Sequence, residues 1–263
     1  MNAPIIRTRT TVRAADLRDM HEVSRLDAWV MAQDNGLPFH RPTWLLAIEA
    51  GTGQQAHCLI AERAGTIVAI LPFHLVHSPL FGRAMVSSAF AVGGGILSTS
   101  AKATQMLAHE ICTRAERWSC PTVELRGGSL PGGNWIEKRD SHANFLKPLQ
   151  GDDDAELLAI PRKQRAEVRK GLDNGLTVVT GRTVQDLDLH YAIYAESVRN
   201  LGTPVFPRSL MVSVLDAFGA DADILTVLDG DRPVASVFSL YHKRVVMPYW
   251  GGGLWDARRM RAN

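Results

Sequence analysis

Cysteine is scarce: Cys58, Cys112 and Cys120 are the only three in 263 residues. An odd number at this spacing fits neither a disulfide framework nor a zinc site, and reads as reduced, buried thiols. Net charge is also scarce, with 29 Lys and Arg against 27 Asp and Glu, or +2. That balance excludes attraction of the whole surface to DNA and leaves only a local anion site. Long apolar runs are absent too. The best candidate, residues 67–76, contains Pro72 and His74, and none reaches the roughly 20 residues a membrane-spanning helix needs. The start, MNAPIIRTRTTVR, has no apolar signal core. It alternates instead, as an edge strand over residues 5–12 would. With 46% hydrophobic and 21% charged residues the chain is an ordinary folded protein. A cytoplasmic location is expected, with the periphery of the inner membrane as the alternative.

What is present is a pattern that occurs twice. Residues 58–95 and 224–253 each contain an alternating apolar run, a glycine-containing turn, a second run, a break, a third run and three glycines. Each copy reads as a three-stranded antiparallel meander ending in a tight glycine loop, Gly93–Gly95 in the first and Gly251–Gly253 in the second. Such repetition implies two similar half-molecules.

Taken in order, helical spacing predicts a helix over 15–33, stopped by Asn35-Gly36, and a second after Pro42. After the first meander come a helix capped by Ser98 or Ser100 and a strand at 122–126. A further strand is expected at 143–149. The polar run Gly151-Asp-Asp-Asp marks the boundary between domains 1–151 and 152–263, and its acids suit a helix N-terminus. Pro161 separates a basic helix from the acidic one. A strand at 176–180 and helices at 184–200 and 207–218 precede the second meander. By internal symmetry about 55 residues are missing after Asn263, so the chain is expected to be a fragment.

Three stretches carry chemistry. Glycine loops let backbone amides approach an anion, and Gly251, Gly252 and Gly253 are flanked by Tyr249, Trp250, Trp255, Arg258 and Arg259. The alternative reading is a tight turn under a packed strand, since short glycine motifs are weakly specific. Arg162, Arg165 and Arg169 share one helical face beside Lys170, a ladder of forked donors suited to phosphate. It is equally a solvated face paired by Glu167. The third stretch runs from Ser197 through Arg199, Asn200, Gly202 and Thr203 to Pro204, a helix end that could border a substrate cleft. A general base is sought among His40, His74, His77, His190 and His242, or Glu124 and Glu196. None lies in a triad or a metal-ligand spacing.

The chain resembles the FemAB-related acyltransferases, and within them the group associated with exosortase/PEP-CTERM exopolysaccharide systems. The resemblance rests on Phe39-His40 with Trp44, Leu71-Pro72-Phe73-His74 and Ser78-Pro79-Leu80-Phe81-Gly82. It extends to Val123-Glu124-Leu125-Arg126, the basic helix 161–171, residues 194–207 (YAESVRNLGTPVFP) and 248–253 (PYWGGG). It implies an α/β (mixed, α+β-like) fold of two tandem GNAT-like units, the second truncated. It also implies transfer of an acyl or aminoacyl group to an amine in exopolysaccharide or cell-envelope synthesis.

The donor stays open between acyl-CoA, an acyl carrier and aminoacyl-tRNA, with no tightly bound cofactor and no metal. The acceptor is a small-molecule or lipid-linked saccharide or amine. Neither glycine stretch has the full Arg/Gln-x-x-Gly-x-Gly/Ala spacing of acetyl-CoA enzymes. In this mechanism Arg162, Arg165, Arg169 and Lys170 anchor phosphates and Gly251–Gly253 polarise the carbonyl or hold the carrier. Tyr249 orients the acceptor and Glu196 is a candidate base. A CoA-dependent N-acetyltransferase and a non-catalytic scaffold are the alternatives.

Overall fold

Apolar alternation and glycine punctuation build two sheets. A computed structural model describes residues 9–80, 82–139 and 142–262. Strand β1 spans Thr10–Ala14; residues 5–8 of the expected first strand lie outside the described residues. Helix α1, Met20–Ala32, starts where the Asp19 side chain accepts from His21 N. A 3₁₀ turn, Pro38–His40, leads into α2, Pro42–Thr52, which ends on Gly53 at φ 73°. The first meander is β2 (Gln55–Arg63), β3 (Thr66–Ser78) and β4 (Gly82–Val86). The first triple glycine is a loop, as expected. Beyond it are β5 (Leu97–Ser98), α3 (Ala101–Arg117, capped by Ser100) and β6 (Val123–Glu124).

The expected strand at 143–149 does not form. Phe145 and Leu146 are 94% and 83% exposed and no strand pairs with them. Pro148 removes a ladder donor from the segment. Pro161 does divide the next helix, into α4 (Asp153–Ala159) and α5 (Arg162–Leu172). There follow β7 (Thr177–Gly181), α6 (Val184–Asn200), α7 (Arg208–Phe218), β8 (Ala222–Asp229), β9 (Arg232–His242), β10 (Val245–Gly253) and the short α8 (Ala257–Met260).

The repeat is visible in the topology. One sheet runs β1-β2-β3-β4-β6 with β5 on β3; the other runs β10-β9-β8-β7. In each, a strand and two helices precede a meander whose strands lie in chain order. Even the register irregularity recurs, between Ala61 and Glu62 in β2 and between Val227 and Leu228 in β8. In both places it lies just before the hairpin turn and raises local twist.

Contacts divide the chain differently from sequence order. One unit comprises 1–134, 207–221 and 241–245; the other comprises 135–206, 222–240 and 246–263. The 1–151 and 152–263 division differs from this in the placement of 135–151, 207–221 and 241–245. The helix α7 joins the first unit because it packs on α2, where Gly51 lets the two backbones meet and Ser209 Oγ donates to Gly51 O at 2.6 Å. The first unit's core includes Leu26, Val30, Leu45, Ile60 and Ile70. Trp44 stands edge-on to Phe39 and Phe218, with its indole N–H on Ala89 O. Arg13 bonds both Glu22 and Glu62, tying β1, α1 and β2 together. In the second unit α6 covers one sheet face, and Val227 and Ala235 pack toward Ala257 and Met260 on the other.

Candidate functional site

In the second unit the glycines Gly251–Gly253 are not a loop. They close strand β10, at the edge of its sheet. The strand forms because β10 pairs with β9, and its glycines are needed where α6 comes too close for a side chain. A Cβ on Gly252 would stand 2.6 Å from Ser197 Cβ and 2.8 Å from Ser197 Oγ. Gly252 therefore serves packing, and the three glycines leave a bare strand edge, whose outward backbone groups pair with no other strand among the described residues. Beside them is a cavity of about 460 Å³. Leu225 and Val227 of β8, Ser236 and Val237 of β9, and Ser197 of α6 complete its walls, and Arg258 borders it. Arg258 also lies over the Trp255 ring at 5.8 Å. A cavity of about 510 Å³ adjoins it, sharing Val227, Arg258 and Ala262 and adding Val168, Leu172 and Val178.

The arginine ladder stands elsewhere. The α5 residues that reach the adjoining cavity are Glu167, Val168, Gly171 and Leu172. Arg162, Arg165, Arg169 and Lys170 occupy the neighbouring stripes and line none of the three cavities of this unit described here. Arg165 Nε donates to Ile160 O, and Lys170 pairs with Glu167 at 2.8 Å. Lys170 and then Arg261 hold the Glu167 carboxyl down to about 2.

The third stretch is concave. Glu196 and Arg199 of α6, with Gly202 and Thr203, line an open cavity of about 640 Å³. Asn200 is exposed outside this lining. Tyr249 is half-buried, two residues before Gly251 on the same strand face, and touches Trp250 edge-on at 5.0 Å. Trp250 is buried against Phe238 and serves the core. Glycine spacing and aromatics pointed to the strand. Period-2 alternation over β8 and β9 could have found Leu225, Val227 and Val237, whereas nothing in the sequence marks Ser236.

The candidate histidine bases are buried, with the exception of His77, which is exposed. His74 Nε2 meets Leu45 O and its Nδ1 accepts from Ala89 N. His40 Nδ1 accepts from Leu37 N, His242 Nε2 meets Gly36 O, and His190 Nδ1 meets Ser236 Oγ at 3.0 Å. Burial pushes His40, His74 and His190 each down to about 4, so they are neutral near pH 7. Their unfolded-state value is near 6.5, so between about pH 6.5 and 4 the unfolded chain binds more protons. Stability is therefore full above pH 6.5 and falls as pH drops through that window. Thermal melts should show Tm declining from pH 7 to 4.5, with a smaller decline in His74→Gln. A flat profile would contradict neutral burial. Among the described residues no cluster of His, Cys, Asp and Glu could hold a metal. No helix there is long and apolar enough to cross a membrane.

Residues 162–263 match the family model described as acetyltransferase (GNAT) domain. The chain is an N-acyltransferase. The match contains the glycine strand, the cavities beside it and the whole of α6. The chain is also similar in fold to a crystal structure of FemX, with TM-score 0.63 over 91% of this chain and 81% of that one, at 13% identity. A ribosomal-protein-alanine N-acetyltransferase from Brucella melitensis biovar Abortus 2308 aligns over 52% of this chain and all of its own, at 20% identity and TM-score 0.33. A comparison with curated proteins gives no match.

Proposed function

We propose that this N-acyltransferase moves an acyl or aminoacyl group from a phosphate-bearing carrier to an amine of an exopolysaccharide or cell-envelope precursor. The donor arm lies along the bare edge of Gly251–Gly253. The observation that carries this reading is the groove itself. It has apolar walls for an acyl arm, an unpaired strand edge whose N–H and C=O groups suit an extended amide-containing chain, and Arg258 for a phosphate. Backbone N–H groups of the glycines would polarise the reacting carbonyl, with positioning supplying much of the acceleration. Tyr249, on the face of Gly251, is assigned to orient the acceptor, and Glu196 to accept its proton. The precursor class is supported by the residues shared with the exopolysaccharide-associated group.

The test is intact-mass analysis of reactions of the full chain with acetyl-CoA, longer acyl-CoA, acylated carrier protein and aminoacyl-tRNA, each with an amine panel. An N-acylated product from one donor class is expected, and none from any of them would defeat the reading. Arg258→Ala should raise the donor KM about tenfold, the scale of a lost charge-assisted hydrogen bond. Arg165→Ala with Arg169→Ala should leave it unchanged. The opposite pattern would return phosphate anchoring to the α5 ladder.

A further inference from the structure

The cavity beside the end of α6 has a charge pattern that names a ligand class. Ala192, Ala195, Glu196 and Arg199 form one stripe of the helix, at steps of three, one and three residues, and the loop 202–205 folds over them. Two small side chains leave room, and two charged ones of opposite sign stand one turn apart. Among the described residues neither Glu196 nor Arg199 forms an ion pair with the other or with any third group. Closing such a pair on an exposed helix face gains little, so both charged groups are available to a ligand. Here they border one concavity of about 640 Å³, large enough for an amino acid or a single sugar ring.

The wall opposite them is held in place. Leu201 N and Thr203 N both donate to Val198 O, at 3.1 and 2.9 Å, and Gly202 N donates to Arg199 O. Gly202 makes that turn possible at φ 71°. Tyr191 donates its hydroxyl proton to Phe206 O at 2.9 Å and pins the loop's far end. The loop therefore presents a ready-made surface, and ligand binding spends little on ordering it. On the same helix, Ser197 faces the glycine strand and the donor groove. One helix thus borders both hollows, one on each side of the Glu196–Ser197 peptide.

We infer that this cavity is the acceptor site and that its ligand is zwitterionic: an amine with a carboxylate or phosphate a few ångströms away, the amine toward Glu196 and the anion toward Arg199. An amino acid or an anionic amino sugar has this form. A simple alkylamine lacks the partner for Arg199. The inference rests on the proposed acyl transfer and adds the acceptor's chemical class to it.

The test uses small probes with the full chain. Ligand-observed NMR titrations compare alanine, which carries both charges, with propylamine and propionate, which carry one each. Alanine should bind about tenfold tighter than either single-charge probe, the scale of one charge-assisted bond. Arg199→Ala should reduce alanine to the propylamine level, and Glu196→Gln should reduce it to the propionate level. Arg199→Lys should retain part of the preference. Equal binding of alanine and propylamine, or unchanged preference in both variants, would overturn the inference. Binding of acyl-CoA and aminoacyl-tRNA, measured on the same samples, separates it from the donor reading. Donor binding with no zwitterion preference sinks the acceptor assignment alone, and zwitterion preference with no donor binding sinks the groove assignment alone.

Discussion

Gly252→Val should cut acyl transfer by about a hundredfold or more, the scale of an ångström-level misplacement of reacting groups. The added Cβ would stand 2.6 Å from Ser197 Cβ and 3.6 Å from Tyr194 Cα. Ser197 has a single-carbon side chain on the rigid α6, so it cannot swing aside as a long side chain would. Either β10 or α6 must move, and both border the groove. Overpacking of this kind costs about 1–3 kcal/mol of stability as well. Ser197→Gly removes the atoms that collide. The pair Gly252→Ala with Ser197→Gly should therefore regain folding and part of the turnover, while Gly252→Ala alone should not. Steady-state kinetics and a urea titration of all four proteins check this. A Gly252→Val protein as active as wild type would show that the strand edge has no part in donor binding.

The second large effect is on stability. Gly51→Val should destabilise the first unit by about 3 kcal/mol or more, the range reached when a substitution forces backbone apart. A Cβ at Gly51 would lie 2.6 Å from Leu210 Cα and 2.8 Å from Ser209 O. These are main-chain atoms of α7, so no rotamer change relieves the contact. Separation of the helices would also break the Ser209 Oγ to Gly51 O bond and loosen Phe218 against Trp44. Trp44 is fully buried, so its fluorescence should report the change. A urea midpoint within error of wild type would mean that α2 and α7 do not pack through Gly51.

Much of this architecture was legible because local rules and tertiary structure agree. Pro42 opened α2, Ser100, one of the two serines expected, capped α3, and Pro161 divided α4 from α5. The two meanders were readable from alternation, since one-residue slips would turn every apolar side chain the wrong way. The failures have one physical cause. Residues 143–149 alternate well enough for a strand, yet a strand needs a partner edge, and partners are not encoded locally. The same holds for Gly251–Gly253: a run of glycines permits a turn, and only pairing with β9 makes it a strand.

By itself, then, the sequence determined most of the elements and the internal repeat, because propensity, capping and period act over a few residues. Tertiary structure decided which of the candidates meet. It set Ser197, Ser236 and Arg258 with the glycine strand, and Glu196 and Arg199 around a second hollow. It left the arginine ladder of α5 on a stripe facing neither, and it buried four of the candidate histidines. Those outcomes depend on which helix face meets which sheet face. That is settled by packing between residues far apart in the chain, as Gly51 with Leu210 and Gly252 with Ser197 demonstrate.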